Sequence, residues 1–168
     1  LVGRLFNGLN KLEIREKINV IITSDHGMAS VSQEKTLFLQ DYLKKEWTER
    51  IIGTNPVFNI WARENFKDSI KLALNKMQHI EFWDNSQPHK YYQYGKNSRT
   101  GDFTVVADSS WSIQYRSGYY SKSKGTHGYD NRNKDMHAIF YAIGPDFKRS
   151  YNAGILKNVD IYPLVAYI

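Results

Sequence analysis

Residues 25–28 read Asp-His-Gly-Met and follow directly on the run Ile18-Asn19-Val20-Ile21-Ile22-Thr23-Ser24. A carboxylate beside an imidazole is a donor pair that suits zinc. Inside a strand, neighbouring side chains point to opposite faces, so Asp25 and His26 could share one ion only where the backbone has left the strand. Gly27 supplies the freedom to turn there. Asp25 and His26 are therefore candidate metal ligands. A second cluster occupies residues 125–131, Gly-Thr-His-Gly-Tyr-Asp-Asn. His127 lies there between glycines, accessible and uncrowded. Asp130 could orient His127 as an outer hydrogen-bond partner, or form a turn with Asn131. The remaining histidines carry less. His137 is expected to be a structural, hydrogen-bonded residue of a strand, and His79 and His89 to be surface or packing residues. Asp108 is given no role.

The elements that must position these groups follow the order helix, strand, ligand-bearing loop. Val2, Leu5, Phe6, Leu9, Leu12 and Ile14 recur at roughly helical spacing and predict a helix packed on a sheet. Residues 18–24 read as a buried strand. That order is the pattern of an open α/β sheet. Further strands are expected at 36–39, at 51–52 and 57–61 with breaks at Gly53 and Pro56, at 79–83 and at 103–107. Residues 64–78 predict an amphipathic helix with Asn65 or Asp68 near its start and its apolar stripe in the core. Residues 111–115 alternate as a half-buried strand, and 117–133 are loop-like. A strand over 136–143 stops at Gly144-Pro145, and 158–163 opens a last helix with Pro163 near its start.

At 168 residues, with no internal repeat or linker, the chain suits one domain. A hydrophobic share of 41% and an aromatic share of 14% argue against disorder. The 23 Lys and Arg exceed the 17 Asp and Glu, for a net charge of +6. They are scattered (Lys44-Lys45, Lys122, Lys124, Arg132, Lys134, Lys148-Arg149), and no nucleic-acid-binding motif accompanies them, so they read as a solvated surface. The absence of cysteine excludes disulfides and thiolate metal sites but leaves the compartment open. No glycosylation sequon occurs, and no apolar run is long enough to span a bilayer. The start Leu1-Val2-Gly3-Arg4 is no signal peptide and reads as the interior of something longer.

Ser24-Asp25-His26-Gly27-Met28, Thr126-His127-Gly128-Tyr129-Asp130-Asn131 and the stretch 136–148 together resemble the nucleotide pyrophosphatase/phosphodiesterase family of the alkaline phosphatase superfamily. The likeness continues through Asn97-Ser98-Arg99, Val106-Ala107-Asp108 and residues 159–164. It implies an α/β fold, part of an alkaline-phosphatase-like sheet flanked by helices, with residues 1–168 the C-terminal part of a single catalytic domain. It also implies a hydrolase of phosphodiester or pyrophosphate bonds in nucleotides, with two zinc ions and a threonine nucleophile. On this resemblance Asp25 and His26 bind the zinc that activates the threonine, and His127 binds the other.

In the family the nucleophile, the remaining zinc ligands and the nucleotide clamp all precede the strand at 18–24. Thr23 and Thr126 do not match the nucleophile's position. No catalytic or substrate-binding residue is therefore assigned within the chain, which alone is expected to be inactive and to hold zinc weakly, because stable zinc sites generally supply three or four ligands. A cysteine-free, sequon-free chain looks like a bacterial member, and the resemblance implies a periplasmic or exported protein. The expected partner is a nucleotide or other phosphodiester substrate. Self-association through an exposed sheet edge near 18–24 is also expected. Two alternatives are another hydrolase of the superfamily, such as a phosphonoacetate hydrolase or phosphomonoesterase, and a non-catalytic α/β module in which Asp25, His26 and His127 merely shape a surface.

Overall fold

The computed structural model describes residues 1–168 apart from Tyr119 and Ser121, so the loop expected at those two positions lies outside the described residues. In chain order the elements are α1 (Val2–Leu9), β1 (Val20–Thr23), β2 (Ala29–Ser30), β3 (Thr36–Phe38), β4 (Thr48–Thr54), β5 (Val57–Ala62), α2 (Lys67–Leu74), β6 (Ile80–Asp84), β7 (Phe103–Ala107), β8 (Ser112–Gln114), β9 (Gly125–Thr126), β10 (Phe140–Ile143) and α3 (Ile161–Tyr167). They form two compact units. One comprises Leu1–Asp25 with Ala138–Ile168, the other His26–His137.

The second unit holds the hydrophobic core. Its sheet is antiparallel throughout, in the order β4-β5-β7-β6. β7 is buried at every position, as a central strand covered on both faces should be. Phe58 and Ile60 alternate inward along β5 with more accessible neighbours, the period-2 pattern of a half-buried strand. α2 lays Ile70 and Leu74 into the same core, one turn apart on one face. The helix expected over 64–78 is shorter than its apolar pattern. Asn65 has a φ of 70°, in the left-handed region, and Phe66 takes the N-cap, so the helix starts only after the chain has turned. The apolar stripe is core, as expected.

Two small ladders complete this unit. β3 pairs in parallel with β8, and β2 pairs antiparallel with β9. In β8 both Ser112 and Ile113 are buried, so the expected alternation over 111–115 is absent. The serine is tolerated because its hydroxyl accepts from the Asn55 amide at 3.3 Å.

In the first unit β1 pairs antiparallel with β10, from Val20 opposite Ile143 to Thr23 opposite Phe140. β1 is only partly buried, which corrects the buried strand expected at 18–24. α1 ends at Leu9 and buries no residue, although its apolar positions follow the expected spacing. The strand expected from 136 begins only at Phe140. A 3₁₀ turn over Lys134–Met136 takes up the residues before it, capped by the Asn133 side chain, which accepts from the Asp135 N–H at 3.1 Å. His137 is consequently exposed and outside any strand, not the strand histidine expected. No helix of the described residues is long and apolar enough to cross a membrane.

Candidate metal centre

The β2–β9 ladder brings the two sequence clusters together. Ala29 lies opposite Thr126 and Ser30 opposite Gly125. In an antiparallel pair the start of one strand adjoins the end of the other. His26, just before β2, therefore meets His127, just after β9. Their imidazoles stack with centroids 3.7 Å apart and planes 13° from parallel.

Two glycines make this approach possible. The Gly27 N–H donates to the Met136 carbonyl at 3.0 Å, and any Cβ at Gly27 would lie 2.8 Å from the His137 carbonyl oxygen and nearer still to that of Asp135. Gly128 turns the chain after His127 with a φ of 96°, which side chains resist.

His26 Nδ1 lies 2.7 Å from the Gly27 carbonyl oxygen. A carbonyl only accepts, so Nδ1 is the donor in this contact, and in the neutral ring that is the tautomer in which Nε2 can ligate a metal. Metal-bound histidines commonly show this kind of backbone contact on their other nitrogen. Asp25 is exposed and ends the segment leaving β1. Thr23 commits its hydroxyl to the Ile139 carbonyl at 2.9 Å. Among the described residues no group of three or more His, Cys, Asp or Glu side chains forms a ligand set. An open cleft of about 750 Å³ adjoins His127, lined among others by Met28, Asn55, Phe58, Arg116 and Thr126, with no carboxylate among its described lining residues.

The flank beyond His127 is tightly bonded. The buried Tyr129 hydroxyl donates to the Trp111 carbonyl at 2.6 Å, and burial pushes it up to about 12. Asp130 does form a turn: its Oδ1 accepts from the Arg132 N–H at 2.8 Å. Its Oδ2 accepts from Arg132 Nε at 2.7 Å and from Nη2. The Arg132 guanidinium holds the Asp130 carboxyl below its ordinary range against the opposing effect of burial, with a smaller contribution in the same direction from Tyr92. Burial first, then Asp130, pushes Tyr92 up to about 12. Asp130 thus serves Arg132. His89 packs against Trp83 and Tyr92 at 4.6 Å from each, and His79 stacks on Trp111 at 3.8 Å. Both are packing residues, as read from the sequence. The contact of Arg132 with the Tyr91 ring, 4.7 Å from its centroid, had no readable signal beyond the adjacent tyrosines at 91 and 92.

The family model for type I phosphodiesterase/nucleotide pyrophosphatase matches residues 1–130. The chain belongs to that family. It is 34% identical over 167 residues to a bis(5'-adenosyl)-triphosphatase of Xenopus laevis, a match covering 99% of this chain and 36% of that protein. The structure of human ectonucleotide pyrophosphatase/phosphodiesterase 5 superposes with a TM-score of 0.85 at 33% identity, covering 99% of this chain and 44% of that one. An inactive form of the murine counterpart in complex with AMP gives 0.83 at 31% identity over the same shares. The α/β fold is therefore the alkaline-phosphatase-like one of these phosphodiesterases, and the chain spans less than half the length of the relatives it matches.

Proposed function

We propose that this chain is the C-terminal part of a single zinc-dependent phosphodiesterase domain that hydrolyses phosphodiester or pyrophosphate bonds of nucleotides. The observation that carries the reading is the stacked pair His26 and His127, distant in sequence and 3.7 Å apart in space. Nothing in the core requires two accessible imidazoles to meet at a ribbon's end. Two ligands held for neighbouring ions would account for it.

The donor set fits zinc: two imidazoles and, beside His26 in the sequence, the Asp25 carboxylate, with no thiolate in the chain. Asp25 and His26 would hold one ion and His127 a second. A bound pair of zinc ions would raise the nucleophilicity of the attacking oxygen and stabilise the departing one. This chain's own contribution is to fix ligand orientation. The Gly27 carbonyl sets the His26 tautomer, and the glycines at 27 and 128 let the two loops approach. The carboxylate-free cleft, with Arg116 on its wall, favours an anionic substrate at the His127 side.

The names of the relatives, a bis(5'-adenosyl)-triphosphatase and a protein crystallised with AMP, support nucleotides as the substrate class. The same likeness favours a phosphodiesterase over a phosphonoacetate hydrolase, a phosphomonoesterase or a non-catalytic module. Lack of cysteines and sequons fits a bacterial member, and the family likeness an exported one. The isolated chain supplies too few ligands and no nucleophile, so it is inactive. Its β1–β10 pair has open edges at which copies can associate.

The test is hydrolysis of p-nitrophenyl thymidine monophosphate by the complete polypeptide carrying this chain. Cleavage that Asp25→Ala abolishes supports the reading. Cleavage by the isolated chain after metal chelation contradicts it.

A further inference from the structure

The cleft beside His127 is assembled from paired elements of one unit. The tip of the β4–β5 hairpin, the end of β8 and the β2–β9 ladder all contribute to its lining. Asn55 ties the first two together: its Oδ1 accepts from the Ile113 N–H at 2.8 Å, and its Nδ2 donates to Ser112 Oγ at 3.3 Å. At the ladder, a Cβ on Gly125 would lie 3.0 Å from Met28 Cγ and 3.3 Å from its Sδ, so the missing side chain is what lets Met28 lie across the strand. At about 750 Å³ the cleft is within the roughly 300–1,000 Å³ of small-molecule sites, and it is already formed.

Its chemistry is one-sided. Arg116 and Gln114 lie in the lining, and no carboxylate stands among the described lining residues. Arg116 is exposed, with its guanidinium carbon 5.9 Å from the Tyr115 ring centroid, and no carboxylate pairs with it among the described residues. It also borders a second pocket of about 470 Å³ with Lys44, Lys45 and Glu46, where cations outnumber the acid. A guanidinium fork free of a carboxylate partner suits phosphate oxygens, which it can bind through two nitrogens.

The side of the reaction on which the cleft lies follows from its membership. His127 lines it, whereas Asp25 and His26 do not. On the reading above, Asp25 and His26 serve the ion that activates the attacking oxygen, and His127 serves the ion that stabilises the departing one. The cleft is thus on the departing side. We propose that Arg116 selects substrates whose departing group carries phosphate, by binding that group in the cleft beside His127. The proposal rests on the reading of His127 as a ligand on the departing side.

Three substrates that share a thymidine monophosphate half test it in the complete polypeptide. They are p-nitrophenyl thymidine monophosphate, thymidine triphosphate and dithymidine triphosphate, which release nitrophenol, pyrophosphate and thymidine diphosphate. In each, the bond between the thymidine-bearing phosphorus and the departing oxygen breaks, and its electron pair leaves with that oxygen. Water supplies the replacing oxygen in the net reaction, with one of its protons to each product. Because the retained half is the same, its contacts cancel when each variant is compared with wild type.

Arg116→Ala should lower kcat/KM for both phosphate-releasing substrates, relative to that for the nitrophenyl ester, by about 10-fold or more. Arg116→Lys keeps the charge without the fork and should fall between wild type and Arg116→Ala. Arg116→Gln, which keeps much of the stem, should behave as Arg116→Ala and decides the matter if that variant misfolds. Lys76→Ala removes an exposed cation outside the cleft and should leave the ratios near wild type. Pyrophosphate titrated calorimetrically into the zinc-free protein should bind wild type more tightly than Arg116→Ala by a similar factor.

Unchanged ratios in Arg116→Ala and Arg116→Gln, or an equal loss in Lys76→Ala, would overturn the proposal while leaving the phosphodiesterase reading in place. So would equal pyrophosphate affinity in wild type and Arg116→Ala. A loss confined to dithymidine triphosphate would show that the nucleoside is recognised and would overturn the role of phosphate. A wild-type protein that cleaves none of the three substrates would instead overturn the reading beneath.

Discussion

Ile70, Leu74 and Phe103 in one unit of this chain are 0%, 0% and 1% exposed, whereas Val2, Leu5 and Val159 in the other are 52%, 49% and 74% exposed. The residue types are alike and their fates are opposite. Every residue of the core cluster lies within His26–His137, and the unit formed by Leu1–Asp25 and Ala138–Ile168 buries none. The amphipathic spacing of α1 is real, but it buries no residue fully, and Phe6 and Leu9 are only half-covered. Spacing records which side of a helix seeks cover. It does not say where the cover comes from. The first unit is therefore expected to open more readily than the unit that carries His26 and His127, which has a core of its own.

The largest way to break that comparison is a pair of truncations. Phe103→Ala should cost about 3–5 kcal/mol in urea unfolding of this chain, because it removes a fully buried ring and leaves a cavity. Leu5→Ala should stay within about 0.5 kcal/mol. Equal costs would show that α1 is packed after all.

Native-state hydrogen exchange sharpens the same contrast residue by residue. Amides of β5 and β7 should open only with the whole unit, whereas those of α1 and α3 should exchange almost as if unfolded. Protection of α3 equal to that of β7 would contradict the division.

A smaller effect should come from Tyr129→Phe, which removes the hydroxyl bonded to the Trp111 carbonyl while keeping the ring. A loss of about 1 kcal/mol is expected from urea midpoints at neutral pH. The wild-type tyrosine also gives this unit an alkaline limit. Its folded value near 12 lies above the unfolded value of about 10, so the neutral hydroxyl is favoured by folding. That contribution is complete below about pH 10 and disappears as pH rises through 12. Tyr129→Phe should flatten this decline.

The smallest effect belongs to Asp130. Its carboxyl is depressed, so its contribution is present above about pH 4 and is lost as pH falls through the lower folded value. Because Arg132 is largely exposed, solvent screening keeps this contribution small. NMR titration of the Asp130 carboxyl in wild type and Arg132→Ala should show its midpoint rising in the variant.

Much of the second unit was legible in the residues. β7 announces itself as an unbroken β-branched and aromatic run, and α2 through the spacing of Ile70 and Leu74. Asp25-His26-Gly27 and His127 stood out because carboxylate and imidazole next to glycine at the end of an apolar run have few structural uses. The rest depended on partners distant in sequence. Nothing local in residues 20–23 declares that they pair antiparallel with 140–143. The apolar pattern at 136–143 hid a 3₁₀ turn whose backbone is engaged by Gly27. Asp130 offered a turn and a histidine partner on equal terms, and only the position of Arg132 and Tyr92 around it decided for the turn.

The central claim is that His26 and His127 hold neighbouring zinc ions in the complete protein. Its most direct test is the zinc content of purified complete polypeptide, measured by elemental mass spectrometry after equilibration in a zinc-buffered solution. The account predicts two zinc ions per chain in wild type and loss of one in each of His26→Ala and His127→Ala. A His127→Ala protein that folds and retains both ions would contradict it.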